Sequence, residues 1–545
     1  MKRLAGKYFY LILLLLIWIG ITVAVNPRGD FPINDDWSYS KPVYHLTHEG
    51  KFIMGDWPGM TLFSQVLWGT FFCKIFGFSF NILRLSTMLS SFMSTFLVFF
   101  LIKGITLDKN LSFFMALVWV FNPIFFLLSF TFMTEVHFLF FSLLTLFFYF
   151  KYFGTKNTSY LVIGAFFALI ATLTRQLGII LPFAFGIAQF VISKKNIKNF
   201  VFSFVPFIVN LLVLYLYLFW LHVTHNLPNS FDKGGHLMEF FQKNDFSFFY
   251  SRLGLVLFFL SFLFTPAIFF FIPYIKKDGF KRRIIFVIAA VVILIPAMYS
   301  AWDLFPCGNT FHIGGLGPRL LKDTCHGENL FPVFSESILN GIRITCMISL
   351  IILMTFLISR ISGIKNYFKD ISSSPVRLIK LCSLFAFICY LGFTIFSPNY
   401  FDRYCLPLIL FLLIVIVPVN GKILFKKSLP GMIALIIFGF FNILLTHDYF
   451  SWNRTRWEAL NYLMKEKNIK PDQIDGGFEF NAWFLSETGI FPDPSTGKSW
   501  WFVIKDDYVI SSGDISGFKK IKEFSYHRYV PAGKDFIYIL VHKTK

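Results

Sequence analysis

Charge is scarce in this chain. Only 15% of its 545 residues are Asp, Glu, Lys or Arg, whereas 56% are apolar and 20% aromatic. A water-soluble domain of that size could not hide so much apolar surface, which excludes the soluble classes and makes lipid the expected solvent. Carboxylates are scarcer than cations, 30 against 50. The resulting excess of positive charge does not indicate nucleic-acid binding, because the Lys and Arg residues cluster in short loops between apolar runs. Cysteine is rare as well. Seven residues are too few for a disulfide framework. Cys73, Cys346, Cys382, Cys389 and Cys405 lie in or beside apolar runs and read as core packing. Cys307 and Cys325 share one loop and are candidates for a disulfide.

What is abundant is the long apolar run. A membrane helix needs about 20 such residues, and about thirteen candidate spans follow from that length. They lie near 8–25, 81–102, 110–130, 136–153, 158–174, 177–193, 199–222, 249–275, 283–301, 338–360, 375–397, 402–418 and 428–446. The first follows a basic head without a small-residue cleavage site and is expected to be retained. The run over 61–77 contains Gln65 and Lys74 and is expected to lie at the interface. With the N-terminus in the cytoplasm, every strongly basic loop falls inside, from Lys103 and Lys109 to Lys422, Lys426 and Lys427. The C-terminus is then extracytoplasmic. The tail after 446 changes character. WNRTRWEALNYLMKEKNIK reads as an amphipathic helix, and IDGGFEFNAWF, WWFVIKDDYVI and FIYILVHKTK alternate like strands. The expected fold is therefore mainly α. A polytopic bundle over 1–446 is followed by a small extracytoplasmic α+β domain over 447–545, with no nucleotide or metal signature.

The candidate chemistry gathers on the outer side. Asp35 and Asp36 follow the first span in NDDWSY, a segment that also has the composition of a solvated turn. Paired carboxylates raise one another's pKa, which suits a general base. Glu135, in LSFTFMTEVHFLFF, sits between two spans on the same expected face. An acid there is costly without a role or partner, although a helix dipole also favours an acid in a first turn. Arg84, Arg175 and Arg403 lie at outer span boundaries, against the positive-inside bias, and would suit a bound phosphate. His45, His48 and His137 lie near these acids but lack tight metal-ligand spacing.

These residues resemble a family. Asp35-Asp36-Trp37-Ser38-Tyr39 is similar to the Asp-Glu-x-x-Tyr of the first outer loop in family 39 of the GT-C membrane glycosyltransferases, which contains protein O-mannosyltransferases and bacterial aminoarabinose transferases. Gly55-Asp56-Trp57, GFSFNILRLSTMLSS with Arg84, SFTFMTEVHFLFF with Glu135, and Arg403-Tyr404 with Pro407 resemble later elements of that family in order. The resemblance covers roughly the first 200 residues well. It departs where the aminoarabinose enzymes carry a Lys after Gly-Asp-Trp, since PGMTLFSQ has none, and where the second acid of the pair is Asp. Substrate identity is therefore not inherited.

The resemblance implies a donor in which a polyprenyl phosphate carries one sugar, and an extracytoplasmic acceptor that is a lipid, glycan or protein. It further implies Asp35 as general base, Asp36 and Glu135 as supporting acids, and Arg84, Arg175, Arg403 and Tyr39 as substrate or phosphate ligands. No cofactor is required under it, and a divalent cation is left open. No nucleic-acid partner is expected, and a bacterial inner membrane is the expected location. Two other classes stay open at this point: a lipid-linked glycan transporter, and a polymerase or ligase of lipid-linked glycans.

Overall fold

The computed structural model describes residues 2–193, 196–229, 231, 246–275, 284–292 except 286 and 289, 336–361, 374–397, 400–423, 425–488 and 502–543. Cys307 and Cys325 lie outside the described residues.

The protein is a multi-pass membrane protein built mainly of helices. In chain order they are α1 (Lys2–Val25), α2 (Asp36–His48), α3 (Phe63–Phe76), α4 (Phe80–Thr106), α5 (Lys109–Val120), α6 (Pro123–Leu128), α7 (Thr134–Thr155), α8 (Thr158–Thr174), α9 (Ile180–Ile192) and α10 (Ile197–Val223). They continue with α11 (Phe246–Leu263), α12 (Thr265–Phe271), α13 (Glu336–Ile361), α14 (Pro375–Phe396), α15 (Cys405–Ile416), α16 (Leu429–Asn461) and α17 (Phe478–Leu485). Among the described residues 7 helices are long and apolar enough to cross a membrane alone. The pair α11–α12, bent by 72° next to Pro266, makes 8. The expected span over 283–301 lies largely outside the described residues, and those over 110–130, 158–174, 177–193 and 402–418 are made of shorter helices. The most telling is α15, a wholly apolar helix of 12 residues, about 18 Å long. Its expected first residues, Asp402 to Tyr404, form a separate 3-10 turn, so the polar start of this span serves the site described below. Cys73, Cys346, Cys382 and Cys405 are buried free thiols and Cys389 is partly buried, as expected of core packing.

Helix α3 has one exposed apolar face and one inward face. Leu67, Phe71, Ile75 and Phe76 are exposed on it, whereas Gln65 turns inward and donates from Nε2 to the Phe132 carbonyl, 2.6 Å away. That bond ties the first loop to the segment before α7. The hairpin α8–α9 is tight because Gly178 lies against the backbone of Ala171 and Thr172. A Cβ on Gly178 would meet Thr172 N at 2.4 Å, so the chain can reverse here only with glycine, and the reversal places Arg175, itself buried, at the end of the bundle.

The tail forms a four-stranded sheet, β1 (Ile474–Asp475), β2 (Tyr508–Ser511), β3 (Phe518–Tyr529) and β4 (Ala532–His542), ordered β1-β2-β4-β3. Only β1–β2 is parallel; β4 is antiparallel to both β2 and β3. The tail contains helix and sheet as expected, but two local readings are corrected. FEFNAWF is helical in α17, because a short apolar run fits either period and packing decides. Glu479, Phe480, Asn481, Ala482 and Leu485 are the residues it buries. The longest strand, β3, comes from the Lys-rich FKKIKEFSYHRY, which carries little apolar alternation. Helix α16 runs unbroken across residue 446. A second core made of Phe31, Ile33, Tyr449, Phe450, Trp457 and Phe480 joins the first loop to the tail.

Candidate active site

Asn34 opens the site in the left-handed region, at φ 54°, which Asn tolerates better than most residues. The turn closes with Asp36 N donating to Ile33 O at 3.1 Å. Asp35 then takes the N-cap position of α2 without using its side chain as a cap. Its carboxylate is thereby free to face the bundle. Oδ1 accepts from Trp57 Nε1 at 3.1 Å, and Oδ2 lies 3.4 Å from Arg403 Nη2.

Arg403 bridges two acids. Its Nε lies 3.1 Å from Glu135 Oε1, and that same oxygen receives Arg175 Nη1. Arg175 Nη1 also donates to Thr134 Oγ1 at 2.8 Å. The result is a buried chain, Asp35–Arg403–Glu135–Arg175, assembled from four elements: the start of α2, the turn before α15, the first turn of α7 and the end of α8. All four side chains are almost fully buried. Equal numbers of acids and guanidiniums make burial of these charges tolerable. Tyr39, one turn along α2 from Asp35, is buried beside the same charges, and its hydroxyl donates to Met60 Sδ at 3.6 Å.

Burial pushes the Asp35 carboxyl above the usual carboxylate range; Arg403 and the Trp57 N–H pull it only part of the way back. Burial also raises the Tyr39 hydroxyl, reinforced by the negative charge of Asp35, so Tyr39 is a neutral donor at working pH. For Arg403 burial acts to lower the pKa, but Glu135 and Asp35 more than offset it and the net shift is upward.

Two sequence-predicted residues are placed differently. The oxygens of Asp36 accept from backbone: Oδ1 from Phe132 N at 2.8 Å and Oδ2 from Ile33 N at 3.3 Å. Burial pushes its carboxyl up to about 8, with Arg84 acting in the opposite direction. Asp36 thus fastens the segment before α7 to the first loop. Arg84 is engaged by carbonyls: Phe130 O at 2.9 Å, Pro27 O at 2.8 Å, Gly29 O at 2.9 Å and Phe31 O at 3.0 Å. With its donors committed to these carbonyls, Arg84 holds the first loop rather than presenting itself to a phosphate.

The structure also adds residues that the sequence reading had given no role. Trp57 belongs to the Gly-Asp-Trp motif, which was the available signal. Its ring packs with Trp37, Phe478 and Phe502 at centroid distances of 5.7, 5.4 and 5.8 Å. The last two residues come from the tail, where no sequence signal marked them. Among the described residues, no group of three or more His, Cys, Asp or Glu is placed to hold a metal ion.

Residues 66–222 match the family model of the dolichyl-phosphate-mannose-protein mannosyltransferases. That segment runs from α3 to α10 and contains Arg84, Glu135 and Arg175. The match and the motif resemblance point to the same family. No curated protein matches the chain. Among solved structures the chain is similar to ArnT from Cupriavidus metallidurans in the apo state, with 12% identity over 99% of this chain and 98% of that one and a TM-score of 0.44. It is also similar to the same protein bound to undecaprenyl phosphate, with 11% identity over 98% of each chain and a TM-score of 0.43.

Proposed function

We propose that this protein is a GT-C membrane glycosyltransferase that moves one sugar from a polyprenyl-phosphate donor to a hydroxyl or amine acceptor on the extracytoplasmic side. The observation that carries this reading is the buried chain Asp35–Arg403–Glu135–Arg175 at one end of the bundle. The match of residues 66–222 to a family named for a polyprenyl-phosphate sugar donor supports the donor class.

In this reading Asp35 is the general base. It accepts the acceptor's proton as the acceptor oxygen or nitrogen bonds to the anomeric carbon. The bond from that carbon to the phosphate oxygen breaks, its electron pair leaves with polyprenyl phosphate, and the anomeric configuration inverts. The donor phosphodiester carries one negative charge and the departing phosphate monoester up to two. Charge therefore develops on the leaving group, and Arg403 and Arg175 are the residues to meet it. Glu135 holds both guanidiniums in place before the donor arrives, and Tyr39 supplies a neutral donor beside them. The elevated pKa of Asp35 suits a base that must take a proton near neutral pH.

The test compares cells carrying the wild-type protein, Asp35→Asn, and no protein. One glycoconjugate is expected to lose a sugar in both altered strains while the sugar-loaded polyprenyl phosphate accumulates, with Asp35→Asn inserted at normal levels. Unchanged glycoconjugates in the strain without the protein would overturn the reading.

A further inference from the structure

The mechanism above leaves a buried acid of the tail unused. Glu479, in the first turn of α17, accepts the Asn34 N–H at Oε1, 3.2 Å away. Asn34 is the residue immediately before Asp35, and it is the one in the left-handed conformation. The other oxygen of Glu479 accepts from Arg456 Nη2 at 2.9 Å. Arg456 is itself fixed, because its Nε donates to Gly476 O at 2.9 Å. Gly477 leaves room for this arrangement: it has φ 96°, and a Cβ there would meet Arg456 Nη2 at 2.6 Å. Asn481 closes the loop, accepting from Gly476 N at 3.0 Å and donating to Asp475 Oδ1 at 3.1 Å. The Glu479 carboxylate is thus held rigidly from its own side before it reaches Asn34.

The neighbouring residue reaches Asp35 by a second route. The Phe478 ring packs 5.4 Å from the Trp57 ring, and Trp57 Nε1 donates to Asp35 Oδ1. One turn of α17 therefore touches both the backbone before Asp35 and the indole bonded to its carboxylate. A domain docked merely for stability needs neither contact aimed at the base.

We infer that Glu479 is a positioning residue, which fixes the Asn34–Asp35 turn so that the Asp35 carboxylate points at the acceptor, and that the tail is a working part of the active site. This inference rests on the proposed function and deepens it. A carboxylate displaced by about an ångström can cost on the order of a hundredfold in rate.

The experiment uses the full-length protein in detergent. Release of undecaprenyl phosphate is followed from a panel of undecaprenyl-phosphate monosaccharides, with a cell-envelope extract supplying the hydroxyl and amine acceptors and Asp35→Asn alongside. Glu479→Ala removes both contacts, whereas Glu479→Gln keeps an oxygen for Asn34 but gives up the ion pair with Arg456. The expected result is a fall in kcat of about tenfold or more for Glu479→Ala, with the donor KM unchanged, and near wild-type kcat for Glu479→Gln. Both variants remove a negative charge near Asp35, so both shift the acid limb of the kcat profile to lower pH. Equal loss of kcat in the two variants would show that Glu479 serves only to dock the tail and would overturn the inference, as would wild-type kcat in Glu479→Ala. Should Glu479→Ala not accumulate, Glu479→Asp replaces it. It is still charged but one methylene shorter, and it is expected to lose the same rate; wild-type kcat there would likewise overturn the inference. No turnover from the wild-type protein would count against the proposed function itself, whereas an active wild type with an inactive Asp35→Asn and an unimpaired Glu479→Ala would count against this inference alone.

Discussion

Arg84 and Arg403 are the same residue type, buried to nearly the same degree, 2% and 4% exposed, at the same end of the bundle. Their partners differ. Arg84 is surrounded by backbone carbonyls of the first loop and of residue 130, with the rings of Phe31 and Phe450 at 5.3 and 5.0 Å from its guanidinium carbon. Arg403 faces two side-chain carboxylates. Carbonyl dipoles fixed in the backbone cannot hand a guanidinium over to a substrate, but a carboxylate pair can share it with an arriving phosphate. Burial of a cation therefore does not by itself mark a ligand site. The identity of its partners is what distinguishes Arg84 from the arginine assigned to the leaving phosphate in the proposed function.

Four substitutions sharpen or break that comparison. Asp35→Asn removes the proposed base while keeping the shape, and kcat is expected to fall by roughly 10²–10⁴-fold at normal protein levels, measured as polyprenyl phosphate release. Arg403→Met is expected to lower kcat by about 10²–10³-fold, the usual cost of removing one donor to a developing anion, and also to destabilise the fold because Asp35 and Glu135 lose a buried partner. Arg84→Met should do the reverse. It leaves several buried carbonyls unsatisfied at a cost of about 1–3 kcal/mol each, so thermal unfolding in detergent drops sharply, while turnover per folded molecule changes by less than about threefold. A large loss of turnover in folded Arg84→Met would end the distinction between the two arginines.

The smallest effect belongs to Asp36. Its folded pKa, raised from 3.8 to about 8, favours the neutral form in the fold. The stability linked to that proton is fully present below the ordinary carboxylate range and is lost as pH rises through about 8. Asp36→Asn should cost about 1 kcal/mol, because its amide would face the Ile33 N–H, and should flatten the fall in stability between about pH 4 and 8. The pH–rate profile moves the opposite way. Under the proposed mechanism Asp35 must lose its proton to act, so kcat falls as pH drops through the raised Asp35 pKa, and no such limb remains in Asp35→Asn.

The polytopic helical architecture was legible because lipid demands long apolar helices and the basic loops mark their ends. The apolar runs gave the helices their places but not their lengths; α15 and the bent α11–α12 pair were read as simple spans because hydropathy carries no information on bends or on polar turns at a span's edge. Within the site, Asp35, Glu135, Arg175 and Arg403 were visible as polar residues stranded at apolar boundaries. Trp57 stood in a motif without a role. Glu479, Phe478 and Phe502 were hidden because they sit in an ordinary-looking apolar tail, far away in sequence, where nothing makes a polar residue conspicuous.

The sequence by itself determined the solvent, the helices and the end of the bundle on which the ionisable residues gather, since these follow from transfer free energies that each segment pays locally. Only the tertiary structure decided which acid faces which cation. Arg84 went to the carbonyls, Asp36 to two backbone amides, and Arg403 between Asp35 and Glu135, because pairing depends on the approach of elements hundreds of residues apart and leaves no periodic trace in any one of them.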